Sequence, residues 1–152
     1  MKKFQIALIV IFVSLLFFVS FSISQSKDLK KLKAGMPNTV TLSNGEVIYD
    51  LSGEWDAIYD NKGHGGINKD IVKITQQGNK FVGIKLIGNQ WMGKGSETIK
   101  GELEKDGFKS FSTYTVEGWT WATTVKIGEK CNKIEIETHV AGITIDITLT
   151  RK

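Results

Sequence analysis

Apolar and polar residues alternate strictly along the final segment of this chain. Ile143, Ile145, Ile147 and Leu149 share one phase of the alternation, and threonine or aspartate fills the other phase up to Thr150. Because successive side chains of a β-strand point to opposite faces, a period of two is typical of a strand with one buried and one solvated face. The pattern predicts that the chain ends in a half-buried strand.

Similar short segments follow one another from residue 53 onward, separated by turns such as Asp106-Gly107 and Ala141-Gly142. Glycine adopts the positive φ angles that tight turns require. Short connections make neighbouring strands antiparallel, and an open meander would leave two exposed edges. We therefore expect an all-β fold, an eight-stranded antiparallel up-and-down β-barrel, with a two-sheet sandwich as the competing architecture. The predicted strands are 53–59, 70–76, 80–88, 97–104, 108–116, 119–127, 133–140 and 143–150.

The first 24 residues have the composition of a secretory signal peptide. Lys2 and Lys3 give a positive start, an apolar run interrupted only by serine extends from residue 6 to 23, and Ser22-Ile23-Ser24 supplies small residues before the polar Gln25. This order is typical of a cleaved signal. We expect a mature chain that begins at Gln25 and is secreted or periplasmic. The competing interpretation is a membrane anchor, since a run of this length could just span a bilayer.

A polar leader, 25–50, separates the predicted signal from the main domain. Its lysine-rich part, 27–34, is expected to be solvated, whereas Asn44-Gly45 is a strong hairpin signal between two short apolar-containing stretches. The leader is therefore predicted to hold a small hairpin, or a strap over one barrel end, ahead of a barrel domain at 51–152.

Charge and cysteine content exclude several classes of function. The chain has 20 basic and 16 acidic residues, and loss of Lys2 and Lys3 leaves 18 against 16, a net charge of +2. The charges are interspersed, so nucleic acid is not an expected partner. Cys131 is the single cysteine and can form no internal disulfide. We interpret it as a tolerated residue in a turn, because a thiol nucleophile needs a nearby base.

The two ends of the predicted barrel resemble those of a known superfamily. A Gly-x-Trp motif, Gly53-Glu54-Trp55, opens the first strand, and Arg151 closes the last. This pair resembles the signature of the calycins, which include lipocalins, fatty-acid-binding proteins and avidins, and of small secreted bacterial lipocalin-like domains. The resemblance covers about residues 51–152. It implies that the Trp55 ring packs near the closed end of a barrel with Arg151 across it, and it transfers no ligand-binding residue.

Evidence for catalysis is weak. His64 falls in a glycine-rich loop, and His139 shares the polar phase of its strand with Glu137, which could begin a metal site but supplies too few ligands for zinc. No nucleophile elbow, phosphate-binding loop or zinc-protease motif is present. We predict no catalytic residue, no metal and no cofactor. A small isomerase-type enzyme remains an alternative, since calycin barrels include some isomerases.

Aromatic residues give the clearest indication of a binding site. Trp119 and Trp121 share one strand phase, and pairing across a tight turn would bring Tyr114 near them, with Ser112 and Thr123 adding hydroxyls. We predict that these three rings point into the barrel and contact a ligand, the alternative being that they fill the core.

Trp91 lies in a long glycine-rich connection, 87–96, where a plain turn needs no aromatic residue. It is predicted to belong to a lid or contact surface, or else to fold back as a plug. The function we expect is binding of a small, largely apolar molecule without catalysis. The first alternative is a protein- or polysaccharide-interaction module, such as an inhibitor, that acts through the barrel loops.

Overall fold

The computed structural model describes residues 38–62, 65–115, 117–128 and 130–152. The predicted signal peptide, the lysine-rich segment 27–34 and His64 lie outside these ranges. Within them the fold is all-β, and no helix is present that could cross a membrane. The strands are β1 (Thr39–Thr41), β2 (Val47–Tyr49), β3 (Gly53–Asn61), β4 (Gly66–Gln77), β5 (Lys80–Lys85), β6 (Glu97–Glu104), β7 (Gly107–Thr115), β8 (Gly118–Trp121), β9 (Thr124–Ile127), β10 (Lys133–Val140) and β11 (Ile143–Arg151).

The first two strands form the small hairpin that Asn44-Gly45 predicts. They pair antiparallel with Val40 opposite Ile48, and the Asn44 side chain accepts a hydrogen bond of 3.0 Å from the Glu46 amide. Ile48 is buried among the main core residues. The hairpin therefore packs onto the larger sheet through β2.

The other nine strands form one antiparallel sheet in the order β8-β7-β6-β5-β4-β3-β11-β10-β9. Apart from β8 and β9, consecutive strands are neighbours, as in a meander, and β11 returns to pair with β3, which places Arg151 opposite Trp55. The sheet curls into a half-barrel. Its two edge strands, β8 and β9, are consecutive in the sequence.

The single predicted strand at 119–127 is wrong, and its division gives nine strands in the main sheet instead of eight. The chain changes partner at two residues. The Ala122 amide donates to the Phe111 carbonyl of β7 over 3.0 Å, whereas the next amide, of Thr123, donates to the Glu137 carbonyl of β10 over 2.7 Å. Each half of the segment therefore pairs with one strand of the sheet: β8 with β7, and β9 with β10.

This change of partner leaves a seam along the half-barrel. β8 pairs with residues 112–115 of β7, and β9 pairs with β10 only. Among the described residues, no backbone pairing joins residues 107–111 of β7 to the free edge of β9. The first half of β7 therefore faces β9 across a gap.

The remaining strands of the sheet lie where the alternation predicts them. β6 and β10 have the predicted bounds, whereas β4 begins earlier, at Gly66, and β5 ends earlier, at Lys85. β5 ends early because the chain turns into a loop that an isolated bridge between Gly88 and Gly93 closes.

Two glycines make close packing possible inside the half-barrel. A Cβ atom at Gly83 would lie 2.5 Å from Cγ1 of Ile99, and one at Gly101 would lie 2.1 Å from the Ser110 carbonyl oxygen. Neither contact is sterically tolerable, so both positions require glycine. The ladder also contains a bulge next to each of them, at Gly83/Ile84 and at Glu102/Leu103.

The contact expected between Trp55 and Arg151 is present at one end of the sheet. The guanidinium carbon of Arg151 lies 4.5 Å from the centroid of the buried Trp55 ring, whose Nε1 donates to the Leu51 carbonyl over 2.9 Å. Arg151 also donates to the carbonyls of Asp50 and Ser52. It therefore ties the start of the first strand to the end of the last.

Candidate functional site

A groove with a volume of about 800 Å³ lies along the seam, between the first half of β7 and β9. Its volume falls within the range of small-molecule sites. We call it the seam groove. The lining residues are Tyr49, Asp106, Gly107, Phe108, Lys109, Ser110, Phe111, Trp121, Ala122, Val125, Lys126 and Ile127.

Both walls of the seam groove include apolar side chains beside polar ones. Phe108 and Phe111 pack edge to face with 5.1 Å between ring centroids, and Phe81 packs against both rings from β5. Val125 and Ile127 of β9 are packed against the hydrophobic core on the opposite side. An apolar molecule in the groove would therefore contact both edges of the sheet.

A bulge explains why two phenylalanines three residues apart line one groove. The register shifts between β6 and β7, so that Leu103 pairs with Phe108 while Glu102 pairs with Ser110, and Lys109 is the additional residue. The extra residue reverses the phase of the alternation, as bulges do. Phe108 therefore joins Phe111 on the inner side.

Two lysines lie at the rim of the seam groove, one on each wall. Lys109 comes from β7 and Lys126 from β9, and both line the groove together with Asp106. Lys109 also lies 3.4 Å from the carboxylate of Glu102. The rim thus carries two positive charges and one negative charge around apolar walls.

The prediction that Tyr114, Trp119 and Trp121 point into the barrel is wrong. All three lie on the outer face, with 44%, 36% and 70% of their surface exposed. Thr113 and Thr120, which directly precede Tyr114 and Trp121 in the sequence, pair with each other on the inner side, and Thr113 is buried. Whether the three rings contact a ligand on the outer face stays a prediction.

The phase of the alternation explains this error. A single strand at 119–127 would place every second residue on one face. The change of partner at Ala122 and Thr123 instead reverses which residues face inward after that point. Trp119 and Trp121 therefore point outward, whereas Val125 and Ile127 pack against the core. Ser112, opposite Trp121, belongs to the same outer side, and Thr123 is exposed.

Trp91 is not a plug, because 72% of its surface is exposed. It lies in a loop after β5 that Asn89 holds in shape: the Asn89 side-chain oxygen accepts hydrogen bonds of 2.9 Å from the amides of Trp91 and Met92. Trp91 does not line the seam groove. A contact between Trp91 and a ligand stays a prediction.

A polar cluster inside the half-barrel was missed by the sequence analysis. Lys85 and Asp70 form a buried ion pair of 3.1 Å, and the Lys85 ammonium lies 4.2 Å from the centroid of the Tyr59 ring. The Tyr59 hydroxyl shares a hydrogen bond of 3.3 Å with Thr98. One signal could have revealed half of the cluster, since Asp70 falls in the same phase of its strand as Val72 and Ile74.

The Asp70 carboxylate is fully engaged. Besides Lys85, it accepts hydrogen bonds from the amides of Ile71, Ile87 and Gly88. Burial alone would raise the pKa of the Asp70 carboxyl, but the Lys85 ammonium and these amides outweigh it and lower the pKa below its usual value. Asp70 is therefore a structural anchor for the loop after β5 rather than a proton acceptor.

The same surroundings shift the pKa of the Tyr59 hydroxyl in the opposite direction, upward. Burial raises the pKa of Tyr59 to about 12, the hydrogen bond from Thr98 opposes this rise, and the Asp70 charge adds to it. The phenol therefore stays protonated across the physiological range, and Tyr59 acts as a neutral hydrogen-bonding group.

Cys131 and His139 show no catalytic arrangement. Cys131 is fully buried next to Arg151, and burial raises the pKa of its thiol. His139 lies on the outer face, where its ring contacts Thr144 and Glu137. No group of three or more potential metal ligands occurs in the described part of the chain.

Comparison with known proteins gives no family for this chain: no protein-family model matches it, and no curated protein matches it at a significant level.

Proposed function

We propose that the protein binds a small amphipathic molecule in the seam groove, with an apolar tail between the two walls and an anionic head at the rim. The single observation that carries the proposal is the pairing of aromatic and aliphatic walls with a lysine on each side of the opening. Apolar contact supplies most of the free energy of binding in such sites, and a few polar groups fix the orientation.

Several features support binding rather than catalysis. The seam groove contains one carboxylate, Asp106, and no histidine or cysteine. The buried ionic pair of Asp70 and Lys85 is engaged in internal contacts. A small isomerase-type enzyme would need a base that faces the bound molecule, and Asp106 is the only such group among the lining residues.

The preference for an anionic head can be tested with three ligands that share one apolar chain. Decanoate, decanol and decyltrimethylammonium are titrated into the mature protein by calorimetry. We expect decanoate to bind most tightly and the cation least. Lys126→Gln should weaken decanoate roughly two- to fivefold, as an exposed ion pair allows, and should leave decanol unchanged. Lys73→Gln, an exposed lysine of β4 away from the groove, is the matched control.

Two outcomes would overturn this function. Equal affinities for decanoate and the cation would remove the role of the lysines. Absence of binding by all three ligands, with the fold intact by circular dichroism, would exclude the seam groove as an apolar site.

We also propose that the half-barrel is a variant of the eight-stranded calycin barrel in which one strand, 118–127, is divided. The contact between Trp55 and Arg151 supports this, as does the pairing of β3 with β11. The proposed site of action is the cell exterior or periplasm. Intact-mass measurement of the exported protein should give a chain beginning at Gln25, and retention of residues 1–24 would contradict export by cleavage.

A further inference from the structure

A second groove, with a volume of about 390 Å³, lies on the outer face of the sheet across β5 to β8. We call it the outer groove. Its polar lining side chains are Lys80, Glu97, Lys100, Glu102, Ser110 and Ser112, and Trp121 stands at one end. It shares only Ser110 and Trp121 with the seam groove.

Trp121 is the aromatic side chain that remains available in this groove. The neighbouring Trp119 ring is covered, because the Lys100 ammonium lies 3.7 Å from its centroid and Tyr114 packs against it edge to face. Among the described residues, no aromatic or cation–π contact of this kind involves Trp121, whose surface is 70% exposed. Its indole can therefore stack on a bound ring.

The base of Trp121 is fixed before any ligand binds. Its backbone pairs with Ser112 of β7, and its carbonyl accepts a hydrogen bond of 3.3 Å from the Thr138 hydroxyl of β10. The backbone that carries the indole therefore needs no rearrangement when a ligand binds.

The charges that line the outer groove are balanced. Lys80 and Lys100 face Glu97 and Glu102, and Glu102 is held between Lys80 at 3.8 Å and Lys109 at 3.4 Å. Ser110 accepts a hydrogen bond from the Glu102 amide, so its own proton remains available to donate. The groove thus offers both donors and acceptors but no net charge.

We propose that the outer groove binds an uncharged oligosaccharide, with one sugar ring stacked on Trp121. A pyranose ring has an apolar C–H face that suits an exposed indole, and its hydroxyls both donate and accept hydrogen bonds. A polyanion would find no excess of positive charge here, and a sugar matches a lining that combines Phe81 and Val82 with charged and hydroxyl groups. The outer groove shares Trp121 and Ser110 with the seam groove, but the proposal does not depend on the function proposed for the seam groove.

The test uses cellohexaose, chitohexaose and maltohexaose, with oligogalacturonate as the charged comparison, titrated into the mature protein by calorimetry. We expect at least one neutral hexasaccharide to bind and oligogalacturonate to bind more weakly. Trp121→Ala should weaken the neutral sugar roughly five- to tenfold, as loss of a stacking partner predicts.

Two further variants locate the site. Lys80 lines the outer groove and not the seam groove, so Lys80→Ala should weaken the sugar and leave decanoate binding unchanged, whereas Lys126→Gln should do the reverse. Trp91→Ala tests the other highly exposed indole. A loss of sugar binding with Trp91→Ala but not with Trp121→Ala would overturn the proposal, and so would binding that is strongest for oligogalacturonate or absent for all three neutral sugars.

Discussion

Arg151 links more parts of the fold than any other side chain described here. Its guanidinium contacts the Trp55 ring, and it donates to the carbonyls of Asp50, Ser52 and Cys131. Gly53, between these partners, has φ of 129°, and a Cβ there would lie 3.6 Å from Nη1 of Arg151. The Gly-x-Trp motif and the terminal arginine therefore act as one unit.

A double-mutant cycle should measure this unit. Trp55→Ala removes a fully buried ring and should destabilise the protein by about 3–5 kcal/mol. Arg151→Ala leaves three carbonyls without their donor, so its cost includes their desolvation. Because both changes remove the same contact, the double variant should lose roughly 0.5–2 kcal/mol less than the sum.

Chemical denaturation of the four proteins gives the coupling free energy. Arg151→Lys is the control, because it keeps the charge but cannot reproduce the planar fork of the guanidinium; it should recover little of the lost stability. Fully additive losses would show that the contact between Trp55 and Arg151 has no energetic weight.

Tyr59 provides a pH-dependent test of the interior. In the unfolded chain its phenol ionises near the ordinary pKa of 10.0, whereas in the folded protein the pKa is about 12. Below pH 10 both states hold the proton, and the shift has no effect. Between pH 10 and 12 the unfolded chain loses its proton first, so the free energy of unfolding should fall as pH rises, by roughly 2–3 kcal/mol.

Tyr59→Phe should lack the part of the fall in unfolding free energy that comes from ionisation of this phenol. The measurement is urea denaturation at intervals from pH 9 to 12, reported as the difference between wild type and variant, because other groups titrate in the same range. Tyr114→Phe on the outer face should follow the wild type. If Tyr59→Phe loses stability as steeply as the wild type, then its phenol is not buried as the structure places it.

At the scale of elements, the alternation of residues was sufficient for most strands and insufficient at two places. Strands β10 and β11 were located from the pattern alone, because their apolar phase is unbroken in β11 and interrupted in β10 only by Thr138. The division of β8 from β9 could not be found this way, since Trp119, Trp121, Val125 and Ile127 all fall in one phase on both sides of Thr123. What reverses the phase there is a pair of hydrogen bonds to two different strands, which is a property of the tertiary structure.

The candidate site was missed for the same reason. The seam groove depends on the bulge at Lys109 and on the change of partner at Ala122, and neither feature has a distinct local sequence signal. Of the buried pair of Asp70 and Lys85, Asp70 did leave a signal, because it interrupts the phase of Val72 and Ile74, whereas Lys85 lies opposite to the apolar phase of Val82 and Ile84. Their partnership with each other required the three-dimensional pairing of β4 and β5.

The seam should be the least protected part of the main sheet. β8 and β9 are edge strands of four residues each, whereas β3 and β4 are longer and have a neighbour on both sides. Edge strands open locally at lower free energy than central ones. Hydrogen exchange followed by mass spectrometry should therefore show faster exchange in 118–127 than in 53–61 and 66–77. Equal protection of these segments would indicate a sheet closed across the seam.

At the scale of the whole molecule, the open seam connects stability with ligand binding. A closed eight-stranded barrel would hold residues 107–111 of β7 against β9 through backbone hydrogen bonds. Here the same strands face each other across the seam groove, and an apolar molecule between them would add contacts to both. Binding should therefore stabilise the fold and also reduce local opening at the seam.

Decanoate should raise the melting temperature of the mature protein in proportion to the logarithm of its concentration. A ligand that binds only the folded state at 100 times its Kd adds about 2.7 kcal/mol to the free energy of unfolding, which corresponds to a rise of several degrees for a domain of this size. Lys126→Gln should require a higher decanoate concentration for the same rise, because the rim charge is lost.

In hydrogen exchange, decanoate should slow exchange in 124–127 more than in 53–61. A rise in melting temperature with no preferential protection of 124–127 would place the ligand elsewhere on the molecule and overturn the seam groove as its site.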